Sequence, residues 1–189
     1  LNIPGEDLSG SHGATEFVAW YNGHPDFREH KFDLTQKAAA VIGIGNVAMD
    51  VARLLGRSRE ELMQSDVADY AMEALVNSNI EEIHVFGRRG PAQAKFTNKE
   101  IKELGEMTDC DIIIPPDEIA LDDLSKAYLR SDEAQREEIR NVEIMQEFSE
   151  REPAGKKRKI IMHFLASPVE LTGDGCVQKM KVVKNELYQ

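Results

Sequence analysis

The sequence predicts an α/β fold: an open, mainly parallel sheet with a small antiparallel β extension near the C-terminus. Three observations predict it. Short apolar runs, "KAAAVIG", "EEIHVFGRRG" and "CDIIIPP", alternate with stretches of helical period, the pattern of successive strand–helix–strand units. The first run ends in a glycine turn that opens directly into a helical stripe. The tail "KIIMHFLASPVELTGDGCVQKMKVVKNELYQ" reads as antiparallel strands about a "TGDG" turn.

Taken in order, residues 1–36 are turn-rich, with "IPGEDLSGSHG" and "HPDF" flanking the amphipathic "ATEFVAWYNG". Phe17, Trp20 and Tyr21 recur there at helical spacing, which predicts a short helix. "KAAAVIG" is expected as a buried strand. From Asn46 the period changes: Val47, Val51, Leu54 and Leu55 follow a helical stripe, and Gly56 is placed to stop it. Residues 58–78 read as one or two further helices with a break near Ser65 and Asp66. Residues 81–90 form a second strand ending in an arginine pair. A polar helix follows in "NKEIKELGEM", with Thr97 or Asn98 as its cap.

The third strand, "CDIIIPP", is ended by two prolines that cannot continue a ladder. Residues 121–150 are heavily charged and helical in composition, with Leu124, Tyr128, Leu129, Ile139, Val142 and Met145 as inner positions. "EPAGKKRK" is a basic loop leading into the β tail.

Composition narrows the function classes. The chain has 189 residues, 41% hydrophobic and 30% charged, with a formal net charge of −11. Such an acidic balance argues against a nucleic-acid or anionic-membrane partner, which needs a basic face. No apolar run approaches the ~20 residues that span a bilayer. Cys110 and Cys176 stand far apart and in no C-x-x-C pattern, so neither a disulfide framework nor a metal site is expected, and a reducing compartment is the default. The first residue is Leu1 and no signal-peptide pattern is present. The expectation is a chain that begins partway into a longer protein.

The stretch "VIGIGNVAMDVARLL" carries the first site candidate. In a strand-to-helix turn of the form G-x-G-x-x-[GA], the first glycine allows a tight reversal. The second lets the backbone approach a pyrophosphate, and the third small residue keeps helix and strand close. Gly43, Gly45 and Ala48 fill these places, and the helix beginning at Asn46 aims free N–H groups and its positive dipole end at a phosphate. A lone match to this pattern arises often by chance. Here an apolar strand precedes it and a helix follows, which is the confirming context of a Rossmann-like dinucleotide turn.

The second strand then names the nucleotide. Folds of this kind that take NAD usually end that strand with an acid on the ribose 2′-OH, whereas those that take NADP place arginine there. "VFGRRG" offers Arg88 and Arg89 and no acid. Guanidinium groups grip a phosphate bidentately, and a carboxylate would repel it. The spacing from the glycine turn exceeds the usual ~20 residues, a surplus that the helical insert 58–78 explains. Read alone, the pair is an ordinary solvated loop.

These residues resemble a known family. "IPGEDLSG…EFVAWYNGHPD", "GIGNVAMDVARLL" and "FGRRGPAQAKFTNKEIKEL", in this order and spacing, are similar to the adrenodoxin reductase type of ferredoxin–NADP reductase. The resemblance is strong over residues 1–108, looser through the charged helices, and returns weakly in "MHFLASPVEL". The "RRGPAQAKFT" run separates this family from the related glutamate synthase small-subunit type. A stand-alone nucleotide-sensing module is the alternative from another class.

The resemblance implies an oxidoreductase whose NADP domain is inserted into an FAD domain, with hydride passing from NADPH to FAD and electrons onward to a [2Fe–2S] ferredoxin. It implies a lead-in segment over 1–36 and an NADP-binding domain over 37–189, the FAD-binding parts being absent. Alone, such a piece binds NADP(H), holds no FAD and is catalytically incomplete. By motif, Gly43, Gly45, Asn46, Val47 and Ala48 hold the pyrophosphate, Arg88 and Arg89 the 2′-phosphate, and Glu100 the adenosine ribose side. Asp50 and Glu103 match acids in the network beside nicotinamide and flavin. An acid in the first turns of a helix also suits the macrodipole with no catalytic duty, and Glu100 and Glu103 equally fit an i,i+3 surface pair.

Ile44 departs from the family pattern, which more often has a small or polar residue there. Partners implied are the protein's own FAD domain and an acidic ferredoxin docking on Lys102, Arg136 and Arg140, with "KKRK" at 156–159 adding charge. The acidic surroundings "SDEAQREEIR" also allow a plain solvated helix. The implied location is the cytoplasm in a bacterium, or the mitochondrial matrix in a eukaryote.

Overall fold

A computed structural model describes residues 1–188 of the chain. Four strands form a parallel sheet: β1 (Ala38–Ile42), β2 (Glu82–Phe86), β3 (Cys110–Ile113) and β4 (Arg158–His163). Their order is β1-β2-β4-β3, and β5 (Ala166–Thr172) pairs antiparallel with β6 (Lys179–Lys184) as a separate ribbon. The helices are α1 (Ala14–Tyr21), α2 (Asn46–Gly56), α3 (Arg59–Met63), α4 (Asp69–Val76), α5 (Asn98–Gly105), α6 (Pro116–Ile119), α7 (Asp123–Leu129) and α8 (Arg136–Ser149). The expected open, mainly parallel sheet with a small antiparallel extension is therefore observed.

Strand β4 departs from the expectation. "KIIMHF" lies between β2 and β3 and pairs parallel to both, with Ile160 opposite Ile83 and Ile112. The reason is connectivity. Helix α8 separates β3 from β4, and a strand reached through a crossover helix returns parallel. Only β5 and β6 close about "TGDG" as a hairpin.

Alternation along the strands puts Val41, Ile83, Val85, Ile160 and Met162 on the helix-covered side of the sheet, all buried. The other side carries His84, Phe86 and His163, stacked ring on ring and half-buried. Strand β1 lies at the sheet edge, with Ala38 and Ala40 exposed, so it is less buried than its apolar run suggested. In α8 the inner face is Asn141, Val142, Ile144, Met145 and Phe148. Of the expected inner positions Val142 and Met145 are buried, whereas Leu124 is exposed. Phe17 and Trp20 of α1 join the same core as α2.

Two local readings also change. Gly56 does not stop α2 by adopting a left-handed conformation; it is the helix's last residue, and Arg57 beyond it is extended. A β-carbon at Gly56 would stand 2.8 Å from Met107 Cε and 3.2 Å from Cys110 Sγ, so the glycine lets α2 approach the sheet. Burial pushes the Cys110 thiol up to about 12, which makes it a packing group rather than a nucleophile. The basic "KKRK" is no free patch either. Lys156 donates to the Met107 and Cys110 carbonyls, and the Lys156 and Ala154 N–H groups donate to the buried carboxylate of Asp111.

Arg158 is 7% exposed, and its guanidinium donates to the Arg57 carbonyl at 2.6 Å and the Ile80 carbonyl at 3.2 Å. It ties the end of α2 to the start of β2. Arg158→Ala should destabilise the fold by about 2–4 kcal/mol, because both carbonyls lose a charged donor. Chemical denaturation measures this, with Lys157→Ala as the near-neutral control; equal effects of the two changes would contradict the assignment.

Candidate nucleotide site

The parallel register brings the two sequence motifs together. Ile42 at the end of β1 lies opposite Phe86 at the end of β2. Beyond these residues the chain turns into Gly43–Gly45 on one side and Gly87–Arg89 on the other. Adjacent strands run about 4.8 Å apart, so the glycine turn and the arginine pair leave the sheet side by side. The Gly43 N–H donates to the Phe86 carbonyl at 2.9 Å, extending the pairing by one step.

Each small residue in the turn has its own reason. Gly43 takes φ of +134°, a conformation L side chains rarely adopt. A β-carbon placed on it would stand 3.6 Å from Ala48 Cβ, so the methyl of Ala48 already fills the contact and a longer side chain would push α2 off the strand. Gly45 differs. Its φ is −123°, and nothing lies within 4 Å of where its β-carbon would be. Neither backbone nor packing requires glycine at this position, and the space above it is open.

Helix α2 starts immediately after Gly45 with no side-chain cap. The N–H groups of Asn46, Val47 and Ala48 thus have no intrahelical acceptor, and Val47 is 52% exposed beside them. Helices α3, α5 and α7 are capped by the side chains of Ser58, Thr97 and Asp122, whereas α1 and α4 share the lack of a cap but do not follow a strand of the sheet. Ile44 packs away from this opening, its Cγ2 only 2.7 Å from where a Gly87 β-carbon would be. Its bulk fills the space that Gly87 leaves.

The run "AKFTN" closes one side of the site. Lys95 N–H donates to the Ile44 carbonyl at 2.9 Å, and Thr97 N–H donates to Asn46 Oδ1 at 3.0 Å. The buried Asn141 of α8 in turn donates to the Phe96 carbonyl at 2.7 Å. Asn46 is therefore held by its side chain while its N–H remains available.

Three acids singled out in the sequence meet on one cation that was not. Asp50 of α2 and Glu103 of α5 both bond Arg53, and Glu100 Oε2 stands 3.5 Å from the same guanidinium. That Oε2 is buried without a hydrogen-bond partner among the described residues. The i,i+3 spacing of Asp50 and Arg53 was visible in the sequence; the docking of α5 on α2 that adds the other two was not.

Arg88 and Arg89 are exposed, and neither pairs with a carboxylate among the described residues. Lys102 of α5 and Arg136 at the start of α8 are exposed, but Arg140 of α8 is engaged by Glu143 and Glu147.

No family model matches the chain. Over 188 residues it is 40% identical to the NADPH-ferredoxin reductase FprA of Mycobacterium leprae, matching 99% of this chain and 40% of the relative. The NADPH:adrenodoxin oxidoreductase, mitochondrial, of Arabidopsis thaliana is 52% identical over 105 residues, 55% of this chain and 22% of that one. The structure of Mycobacterium tuberculosis FprA in complex with NADPH superposes with a TM-score of 0.92 at 39% identity, covering 100% of this chain and 41% of the other. The chain is homologous to a segment of the NADPH-ferredoxin reductases. It spans about two fifths of the length of the FprA relatives it matches.

Arg53 balances three carboxylates across α2 and α5. Arg53→Leu should cost about 1–3 kcal/mol, less than a fully buried network loses because Asp50 and Glu103 are partly solvated. Thermal unfolding tests it. Stability equal to the parent would show that the cluster does not hold α5 in place.

Proposed function

We propose that residues 37–189, with the lead-in 1–36 packed against them, form the NADP(H)-holding part of an FAD-dependent ferredoxin–NADP reductase. One observation carries the reading: an uncapped, glycine-opened helix end lies at the same end of the sheet as an arginine pair with no carboxylate partner among the described residues. The likeness to a reductase solved with NADPH supports it. The residues present fit the nucleotide. The absence of atoms within 4 Å of a Gly45 β-carbon supports close approach by a pyrophosphate, to which the N–H groups of Asn46, Val47 and Ala48 would donate. Arg88 and Arg89 supply paired forks for a 2′-phosphate.

When bound, NADPH supplies a hydride donor; this chain's residues hold and orient it. Gly43 shapes the turn, Ala48 keeps the helix close, and the Thr97–Asn46 bond fixes the helix start. Glu100 stands on the same Arg53 guanidinium as Asp50 and Glu103, so it belongs with those two acids and a separate contact to the adenosine ribose is not part of this reading. Asp50 and Glu103, joined by Arg53, form the acidic network that faces the reacting end. FAD belongs to the rest of the parent protein and is not held by this segment alone. The proposed partners are that FAD domain and an iron–sulfur ferredoxin. Ferredoxin docks through Lys102 and Arg136, with Arg140 contributing less because Glu143 and Glu147 engage it. The working compartment is the cytoplasm if the source is bacterial and the mitochondrial matrix if it is eukaryotic. No described helix is long and apolar enough to cross a membrane.

The protein should bind 2′,5′-ADP at least tenfold more tightly than 5′-AMP, a margin of about 1.4 kcal/mol. Arg88→Ala combined with Arg89→Ala should erase the difference; equal binding by the parent protein would overturn the 2′-phosphate assignment. For Asp50, rapid-mixing measurement of flavin reduction in the full-length protein should show a slower hydride transfer in Asp50→Asn. An unchanged rate at every pH would return Asp50 to a purely structural partner of Arg53.

A further inference from the structure

The arginine loop is held from beneath by residues far away in sequence. Past the end of β2, the Gly87 N–H donates to the His163 carbonyl at 2.7 Å, and the Ala166 N–H donates to the Gly87 carbonyl at 2.9 Å. The Leu165 N–H then donates to the Arg89 carbonyl at 3.1 Å. Leu165 does this with φ of +51°, one of two non-glycine residues with positive φ among those described. A leucine is disfavoured in this left-handed conformation, and it persists only where its surroundings impose it.

The surroundings are the end of the β5–β6 ribbon. Asn185, just beyond β6, donates its backbone N–H to the Leu165 carbonyl at 2.7 Å. Its side-chain Nδ2 donates to the Arg88 carbonyl and to Ser167 Oγ, each at 2.8 Å. Both arginine carbonyls are thereby occupied, one by Asn185 and one by Leu165. The loop between β2 and the turn at Pro91–Gln93 has few other ties, and the two guanidinium groups remain exposed.

We propose that Asn185 is a positioning residue for nucleotide selectivity: through Arg88 and the strained Leu165 it fixes the loop so that both guanidinium groups converge on one 2′-phosphate. The inference rests on the 2′-phosphate reading above. It assigns the β5–β6 ribbon a purpose that the sheet does not require, since the ribbon shares no ladder with the parallel strands. Loosening the loop adds conformational freedom that must be lost on binding, which weakens a two-point grip without touching the rest of the nucleotide.

The test compares 2′,5′-ADP with 5′-AMP by calorimetry for the parent protein, Asn185→Asp and Asn185→Ala. Asn185→Asp keeps the shape but turns a donor into an acceptor facing two oxygens; Asn185→Ala removes the group. Both should lose about tenfold in affinity for 2′,5′-ADP, with 5′-AMP binding within twofold of the parent. A parent that discriminates, with Asn185 variants that discriminate equally well, overturns the inference. So does a parallel loss for both nucleotides in either variant, the mark of general destabilisation. Failure of the underlying reading looks different: the parent itself, and the Arg88→Ala, Arg89→Ala variant, would bind the two nucleotides alike.

Discussion

Strand β2 is gripped on both edges by parallel neighbours, and the candidate site depends on that constraint. On one edge Ile42 pairs with Phe86 and the Gly43 N–H closes onto the Phe86 carbonyl; on the other, His163, Leu165 and Ala166 continue the bonding past Gly87 to Arg89. Ile83 and Val85 are wholly buried, so this strand cannot slip without turning its apolar residues outward. With β2 fixed, the glycine turn and the arginine pair have one possible relation. Two motifs that are each weak alone leave the sheet side by side at one end.

The start of α2 follows directly from the end of β1, which the same constraint fixes. Capping residues satisfy α3, α5 and α7, whereas α1, α2, α4 and α6 start without a side-chain cap; of these, α2 starts at the strand end next to the arginine loop. An uncapped start leaves N–H groups that favour an anion. Neighbours hold this start in place. Thr97 binds Asn46, Asn141 binds Phe96, and Arg53 joins α2 to α5. The acids near the site are thus not free carboxylates but members of a network with one guanidinium at its centre.

Much of this was legible in the chain. The period change at Asn46, the small residue at 48 and the break near Ser65 all express local rules, and the structure follows them. The Thr97 cap does so too, its hydroxyl accepting from Glu100 N–H. What was not legible depends on distant packing. Strand β4 was grouped with the hairpin because "TGDG" is a strong local signal, while its insertion between β2 and β3 follows from the α8 crossover. The "KKRK" run looked like a patch because charge is visible in sequence and burial is not; Arg158 is inside. Asn185 had no local signature at all, since its partners lie at Arg88, Leu165 and Ser167.

The central claim is that the glycine turn and the arginine loop act as one nucleotide site. Amide chemical-shift mapping during an NADP⁺ titration tests it most directly. The account predicts that the amides of Gly45 to Ala48 and those of Arg88 and Arg89 shift together and saturate along one binding curve. Shifts confined to only one of the two loops, or two curves with different midpoints, would contradict it.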